Sequence, residues 1–146
     1  MRESLILNRS ILDSDIYSEV VKGIDTQVRT KSEYYLAEFG SITISSITVF
    51  EVVWGLQRKS RFESIELQKR RLNEHFVLDV DADVALLGGQ IYGDLFRSGQ
   101  VIGITDSMIA ATALHHNLTL VTGNLKHYER IQTLGYPLRL ENWRVD

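Results

Sequence analysis

Short runs of β-branched and apolar residues alternate along the chain with longer segments in which apolar positions recur at helical spacing. Short apolar runs of this kind are typical of buried strands. They predict strands at Ser10–Leu12, Ser41–Ile44, Phe76–Leu78 and Thr119–Thr122, and a short last strand at Leu138–Leu140. A start of the first strand as early as Leu5 stays open at this point.

The segments between these runs carry apolar residues three and four positions apart, which predicts helices. Their predicted bounds are Ile16–Lys22, Thr26–Phe39, Val49–Arg58, Phe62–Glu74, Asp83–Arg97, Ser107–His115 and Lys126–Ile131. In the fifth helix, the residues on the apolar face are Val84, Leu87, Ile91 and Leu95. Strands that alternate with helices are typical of an α/β fold with a mostly parallel sheet.

The length and composition of the chain indicate a single domain over residues 1–146. Of the 146 residues, 44% are hydrophobic and 24% are charged, as in ordinary globular proteins. The absence of cysteine excludes disulfides, thiolate zinc sites and cysteine nucleophiles, and it fits a cytoplasmic protein. No apolar run approaches the roughly 18 residues that span a bilayer, and the segment MRESLIL is too short for a signal peptide. We therefore expect no membrane association.

The formal net charge of −3 argues against a simple nucleic-acid-binding module, because such modules are usually basic. It is compatible with a protein that meets phosphates through metal ions, since bound cations reverse the local charge. One segment, RKSRFESIELQKRR, carries six basic residues against two acidic ones. A solvated helical surface is the favoured interpretation of this segment, and a track for a phosphate backbone is the alternative.

Other candidates for contact with nucleic acid are weaker. Arg97 and Lys126 are basic and fall nearer to the carboxylates described next. Aromatic residues at helical spacing are usually part of the core, but they can also stack on bases. This alternative stays open for Trp54, Tyr17 and Tyr92.

Carboxylates follow the predicted strands. Asp13 and Asp15 come directly after the first strand, and Glu51 lies in the first turn of the helix after the second strand. Asp106 opens the helix before the fourth strand, and Asn124 follows that strand. In open parallel α/β sheets, sites form outside the carboxyl ends of the strands. Carboxylates gathered at one edge repel each other unless a cation lies among them. Oxygen ligands suit Mg²⁺ or Mn²⁺.

Each carboxylate except one also has a purely local interpretation. Glu51 closes the sequence TVFE, which is a good capping box. Asp106, or Thr105 before it, is a suitable N-cap for its helix, and Asp15 is a suitable N-cap for the helix that starts at Ile16. Asp13 has no evident local role, and an unpaired carboxylate at the end of an apolar strand is costly. A metal site is therefore indicated only by the convergence of these residues at one edge.

Four segments in order along the chain resemble the PIN-domain ribonucleases, and among them the VapC toxins of VapBC toxin–antitoxin modules. The resemblance runs from about Ile11 to Trp143, and the part from Asp106 through Asn124 is the most specific. The segments are ILDSDIYSEVVKG, ITISSITVFEVVWGLQR, GITDSMIAATALHHNLTLVTGN and HYERIQTLGYPLRLENW.

This resemblance implies a PIN-like three-layer fold, with a mostly parallel central sheet of four to five strands flanked by helices. It implies that Asp13, Glu51 and Asp106 are the catalytic and metal-binding carboxylates. Asn124 matches a fourth metal position and offers only a neutral amide oxygen there, which puts a tightly held second metal ion in doubt. The supporting residues implied by the resemblance are Ser14, Asp15 and Thr122.

The implied activity is Mg²⁺- or Mn²⁺-dependent hydrolysis of RNA by a toxin that a VapB-type antitoxin neutralises. A homodimer, and contact with operator DNA only through the antitoxin, are also implied. Members of the family usually reach the first aspartate within a few residues. Here the stretch Met1–Arg9 precedes the first strand. Either the first strand starts late, at Ser10, or an extension has been added before it. The identity of the RNA is left open.

Two alternatives compete with this function. The DSD sequence after an apolar strand resembles the haloacid-dehalogenase phosphatases, but Ile16 and Tyr17 stand where those enzymes have glycine and threonine. The second alternative is a catalytically silent binding module with the PIN fold. The three carboxylates favour activity over this module, because a pure binding protein does not need them together.

Overall fold

The central sheet is parallel. The computed structural model describes residues 7–145, and its strands are β1 (Ser10–Leu12), β2 (Thr43–Ser45), β3 (Phe76–Leu78), β4 (Thr119–Val121) and β5 (Leu140–Glu141). Strand β4 pairs with β1 on one side and β5 on the other, and β2 pairs with β3. Strand β2 lies beside β1, so the order across the molecule is β3-β2-β1-β4-β5.

Seven helices occur within residues 7–145, and they connect or follow the strands. They are α1 (Ser14–Lys22), α2 (Thr26–Phe39), α3 (Ser46–Arg58), α4 (Phe62–Arg71), α5 (Ala82–Arg97), α6 (Ile104–His115) and α7 (Leu125–Thr133). Parallel strands require such crossovers, because a tight turn cannot join their ends. In this part of the chain no helix is long and apolar enough to cross a membrane.

Alternate residues of the central strands point to opposite faces of the sheet. Ile11 and Leu120 belong to a core formed with α5, α6 and α7. Leu12 and Val121 belong to a second core, formed with α1 and α2 and closed by Trp143. A strand alternates its side chains between faces, so strands buried on both sides are apolar throughout. The result is helix, sheet and helix in three layers.

The strand predictions are confirmed, with small shifts in their bounds. β1 and β3 have the predicted residues, and residues 7–9 are not part of a strand, whereas the proposed early start at Leu5 lies outside the described residues. β2 is shifted to Thr43–Ser45, and β5 to Leu140–Glu141. The prediction that β4 includes Thr122 is wrong, because this residue begins the turn after the strand.

Several helices begin earlier than predicted, because polar residues cap them. Helix α1 begins at Ser14 instead of Ile16, and α3 at Ser46 instead of Val49, since Asp13 and Ser45 accept hydrogen bonds from backbone N–H groups of the first turn. Polar residues at helix starts carry no apolar periodicity, so the pattern begins late. Helix α6 also begins three residues early, at Ile104 instead of Ser107, although no side chain caps it.

Gly88 lies where α5 packs against α6. A Cβ at this position would lie 3.5 Å from the Met108 side chain and 3.6 Å from the Ala111 Cβ, which are ordinary contact distances. We therefore expect Gly88→Ala to stabilise the protein by about 0.5–1 kcal/mol in urea unfolding, through helix propensity. Gly88→Leu should destabilise it by about 1–3 kcal/mol, because the contact has no room for a longer side chain.

Gly89, the next residue of the same helix, is the matched control. It is exposed, and no atom would lie within 4 Å of its Cβ. Both Gly89→Ala and Gly89→Leu should therefore stabilise the helix. Destabilisation by Gly88→Ala would show that the two helices pack more closely than the structure indicates.

Candidate active site

Asp13 lies at the centre of the carboxyl edge of the sheet, directly after β1. Its side chain is buried, with 6% of the residue exposed. The Oδ1 atom accepts a hydrogen bond of 2.9 Å from the backbone N–H of Ile16, and Oδ2 accepts one of 2.6 Å from the Thr122 hydroxyl. Thr122 follows the adjacent strand β4, so two neighbouring strands and the start of α1 determine the orientation of this carboxylate.

Glu51 reaches the same edge from the second turn of α3. Its carboxylate accepts hydrogen bonds from the hydroxyl of Ser14 at 2.7 Å and from that of Thr105 at 3.3 Å. The Ser14 Oγ also lies 3.1 Å from the hydroxyl oxygen of Thr48. Three helices, α1, α3 and α6, therefore meet at this one carboxylate.

Asp106 lies in the first turn of α6, and both of its carboxylate oxygens have partners. Oδ2 is 2.8 Å from Nε2 of His127, and Oδ1 accepts a hydrogen bond of 3.2 Å from the Tyr128 hydroxyl. Both partners belong to α7. The sequence pattern did not single out His127 or Tyr128, because no motif links them to a residue more than twenty positions earlier.

The structure corrects the local interpretations of these residues. Asp13, not Asp15, is the N-cap of α1, so the expectation that Asp13 has no local role is wrong. The capping box that ends at Glu51 is absent, because α3 begins earlier with Ser45 as its cap. Neither Thr105 nor Asp106 is a cap, because α6 begins after Gly103. Neither Glu51 nor Asp106 therefore caps a helix, and both carboxylates lie at the shared edge of the sheet.

The remaining predicted residues lie at the same edge and differ in how exposed they are. Ser14 and Thr122 hold carboxylates, as described above. Asn124 follows β4, and its backbone N–H donates to the Thr122 hydroxyl at 3.0 Å, while the residue is exposed. Asp15 is exposed in the first turn of α1. The structure thus brings Asp13, Glu51 and Asp106 to one neighbourhood, with Asn124 and Asp15 at its rim.

The electrostatics of the site show that the carboxylates act on one another. Burial raises the pKa of Asp13 to about 6, against the lowering effect of the hydrogen bonds from Thr122 and Ile16, and the charges of Asp15 and Asp106 raise it further. A buried carboxylate beside other negative charges has this behaviour. A bound cation would offset this cost of ionising Asp13.

Tyr128 reports the same negative field. Burial raises the pKa of its hydroxyl far above the usual value, and the charges of Asp106, Asp13 and Glu51 all act in the same direction. Three carboxylates from three separate segments therefore act on a single buried ring. The Tyr128 hydroxyl stays protonated and can donate its hydrogen bond to Asp106 at any physiological pH.

Across residues 7–145, no three acidic or histidine side chains lie close enough together to enclose a metal ion in their present rotamers. Each carboxylate instead satisfies its lone pairs with hydroxyl, backbone or imidazole partners. The donor chemistry nevertheless suits a hard divalent cation, since three carboxylates and the amide of Asn124 offer oxygen ligands. The burial of Asp13 beside the charges of Asp15 and Asp106 favours a cation as the counter-charge for this set.

Comparison with known proteins identifies the family. A family model for the PIN domain matches residues 10–132 of this chain. The chain belongs to the PIN-domain family. The chain is also 32% identical over 134 residues to the tRNA(fMet)-specific endonuclease VapC of Shigella flexneri, with 91% of this chain and 96% of the relative covered. It is 31% identical over 134 residues, with the same coverage of both chains, to the ribonuclease VapC2 of Haemophilus influenzae.

The fold of this PIN domain agrees with that of solved relatives. The VapBC2 complex from Rickettsia felis, bound to a DNA fragment from its promoter, contains a chain that matches with a TM-score of 0.77 and 29% identity. The match covers 92% of this chain and 98% of that one. The predicted PIN-like α/β fold is thereby confirmed. The haloacid-dehalogenase alternative is wrong, because the family match spans the strand and the DSD sequence on which it rested.

The other residues singled out in the sequence of this PIN domain lie in different environments, some in the core and some on the surface. Tyr17 belongs to the core, and its hydroxyl accepts a hydrogen bond of 2.7 Å from the Gln68 amide. Trp54 is exposed, with the Arg58 guanidinium 5.0 Å from its ring centroid. In the basic segment, Lys69 pairs with Glu66 on an exposed surface, which supports the interpretation of a solvated helical face.

Proposed function

We propose that this protein is a ribonuclease that depends on Mg²⁺ or Mn²⁺, and that it is the toxin of a VapBC pair. The observation that carries the proposal is the convergence of Asp13, Glu51 and Asp106 at the carboxyl edge of the sheet. Relatives named ribonuclease VapC match along nearly the whole chain, which supports nuclease activity. The net charge of −3 agrees with a site that meets phosphate through a metal ion.

The residues that would hold the metal ion are Asp13, Glu51, Asp106 and Asn124. A bound Mg²⁺ or Mn²⁺ would supply an activated water and would neutralise charge that develops on the scissile phosphate. With one neutral ligand in four, the set is better matched to one tightly held cation than to two. One of the three carboxylates would accept a proton from that water.

The surrounding side chains orient the carboxylates. Thr122 and the first turn of α1 hold Asp13, and the hydroxyls of Ser14 and Thr105 hold Glu51. His127 and Tyr128 do the same for Asp106. Partners of this kind determine the direction in which a ligand atom points, and their loss weakens metal binding and activity.

Cleavage of total RNA by the purified chain tests the proposal. Asp106→Asn removes one carboxylate, and Asp83→Asn makes the same chemical change at an exposed position in the first turn of α5. We expect the parent and Asp83→Asn to cleave RNA with Mg²⁺ or Mn²⁺, and Asp106→Asn to be inactive. A chelator should stop the parent. Cleavage that persists with chelator, or in Asp106→Asn, would refute the proposed site, and a folded but inactive parent would favour the silent binding module.

Thr122→Val tests the role of the hydroxyl that holds Asp13. The change keeps the side-chain shape and removes the hydrogen bond to Oδ2, so the carboxylate loses both its orientation and part of its stabilisation as an anion. We expect RNA cleavage to fall by about 10- to 100-fold, with weaker Mn²⁺ binding.

Thr112→Val is the matched control for that change. Thr112 is equally buried, but its hydroxyl donates to the backbone carbonyl of Met108 within α6. It should leave the activity close to that of the parent. Equal losses in the two variants would show that the effect of Thr122→Val comes from general damage to the fold.

The proposed partners are a VapB-type antitoxin and a second copy of the chain, with operator DNA bound only through the antitoxin. The VapBC complexes from Rickettsia felis and Salmonella typhimurium, both bound to DNA, support the antitoxin and its role on DNA. Co-expression with a cognate VapB-type antitoxin tests the pairing. We expect a complex that copurifies and has lost RNA cleavage; an antitoxin that does not bind would contradict the pairing. The cytoplasm stays the predicted location.

A further inference from the structure

Arg144 lies close to the candidate active site, at the end of the described chain. Strand β5 runs parallel to β4, so the residues after it reach the carboxyl edge of the sheet. Trp143 is buried, with 1% exposed, and anchors the backbone just before Arg144. Lys31 donates to the backbone carbonyl of Val145 on the other side. The segment is therefore held on both sides of Arg144, independently of the arginine side chain.

The guanidinium of Arg144 bridges α1 and the turn after β4. Its Nε donates a hydrogen bond of 2.7 Å to Oε1 of Glu19, and Nη2 forms an ion pair with the same oxygen. Nη1 lies over Gly123, and a Cβ built on that glycine would overlap the guanidinium. Gly123 directly follows Thr122, which holds Asp13. A side chain at position 123 would displace the guanidinium from this place.

The ion pair with Glu19 is one-sided. Both contacts go to Oε1, while Oε2 of Glu19 is buried without a hydrogen-bond partner. Arginine and carboxylate often pair through two parallel hydrogen bonds, one to each oxygen, and this pair does not. In the present arrangement Nη1 takes no part in the pair and lies against Gly123, in the turn at the carboxyl edge of the sheet.

The charge of Arg144 complements that edge. The hydrogen bond to Glu19 raises the pKa of the guanidinium above its usual value, and the charges of Glu19, Asp15 and Asp13 act in the same direction. RNA that approaches three carboxylates meets repulsion, and a fixed cation beside them offsets it. A guanidinium suits this task because its planar N–H groups match the oxygens of a phosphate.

We infer that Arg144 is a substrate-binding residue that holds a phosphate of the RNA strand next to the scissile phosphate. The inference rests on the proposed ribonuclease function and adds a contact outside the carboxylate set. Glu19 orients the guanidinium, and Gly123 leaves space for it. Arg144 contacts the backbone of the RNA and not its bases, so it contributes to affinity without selecting a sequence.

Steady-state cleavage of a fluorescent single-stranded RNA in Mn²⁺ tests this inference with Arg144→Gln. We expect KM to rise about tenfold, the size of one hydrogen bond to a charged group, with little change in kcat. The dependence of log KM on log salt should lose about 0.7 from its slope, because one phosphate contact is removed. Arg139→Gln is the charge-matched control: Arg139 precedes β5, at the opposite edge of the sheet, and should change neither quantity.

Glu19→Gln separates substrate binding from a purely structural ion pair. Glutamine can still accept the hydrogen bond that orients Arg144, and it removes only the negative charge. If Arg144 binds phosphate, KM should therefore stay unchanged or fall. If the pair is only structural, Glu19→Gln and Arg144→Gln should impair the protein alike, and thermal unfolding would show the same loss in both. Equal impairment, accompanied by equal loss of thermal stability, would therefore overturn the inference.

Gly123→Ala displaces the guanidinium without removing it, because a flexible side chain yields to the new Cβ. Its effect on KM should resemble that of Arg144→Gln and should largely vanish in the double variant. Additive effects would overturn the inference. An active parent whose Arg144→Gln variant keeps its KM and salt dependence overturns the inference alone. A parent without any RNA cleavage overturns the proposed function, and the inference with it.

Discussion

Asp13→Asn is expected to abolish RNA cleavage and, at the same time, to stabilise the metal-free protein at neutral pH. The loss of activity should be on the order of 10³-fold, comparable with the removal of other charge-stabilising groups from active sites. The gain in stability follows from the pKa of Asp13, which burial raises from 3.8 to about 6. Asparagine keeps the helix cap, because it is as good an N-cap as aspartate.

The sign of the pH dependence follows from the direction of that shift. Between pH 4 and 6 the folded state holds a proton on Asp13 that the unfolded state has released. Ionisation therefore destabilises the folded parent as pH rises through this range, by up to about 3 kcal/mol. Asp13→Asn lacks this term, so its free energy of unfolding should exceed that of the parent above pH 6, and the difference should shrink towards pH 4.

Urea unfolding in chelator, at several pH values, measures this difference. Addition of Mg²⁺ or Mn²⁺ should stabilise the parent and leave Asp13→Asn unchanged, because a ligand that binds only the folded state stabilises it. The interpretation that ionised Asp13 destabilises the metal-free protein would be wrong if Asp13→Asn were less stable than the parent at pH 7. It would also be wrong if the metal ions stabilised both proteins equally.

Trp143→Ala should destabilise the protein by about 3–5 kcal/mol, the usual cost of removing a large buried aromatic side chain. Trp143 lies in the core on the α1 and α2 side of the sheet, with its ring centroid 5.7 Å from that of Tyr35. The hydroxyl of Tyr35 accepts a hydrogen bond of 3.0 Å from the backbone N–H of Ser10, in β1. The cavity would therefore adjoin Tyr35, which bonds to the strand that precedes Asp13.

Urea unfolding at fixed pH measures this loss, with Trp54→Ala as the matched control. Trp54 is 56% exposed, and its removal should change the free energy of unfolding by no more than about 0.5 kcal/mol. Similar costs for the two tryptophans would contradict the packing described here. Because Trp143 also anchors Arg144, the folded fraction of Trp143→Ala should show the raised KM expected of Arg144→Gln.

The architecture could be predicted from the sequence because the strands are buried on both faces and the helices have regular apolar positions. The shared carboxyl edge followed from the parallel sheet alone, and it placed Asp13, Glu51 and Asp106 together. Helix starts were less well predicted. Ser45 and Asp13 are polar residues whose capping role depends on backbone direction, which apolar periodicity does not reveal.

The contacts that complete the site could not be predicted, because they join segments far apart in the chain. His127 and Tyr128, near the start of α7, reach Asp106 in the first turn of α6 from more than twenty positions later in the chain. Arg144 reaches the turn after β4 only because β5 adds to the sheet on that side. Neither approach leaves a local signature in residue type or spacing.

The chemical nature of the RNA ends produced by the parent tests the central claim most directly. If the carboxylate edge holds a cation that activates water, cleavage in Mn²⁺ should yield ends with a phosphate monoester and no 2′,3′-cyclic phosphate. Asp13→Asn, prepared in parallel, should yield no new ends. Cyclic phosphate ends would mean that the ribose hydroxyl is the nucleophile, and the same ends from Asp13→Asn would mean that this site does not perform the cleavage.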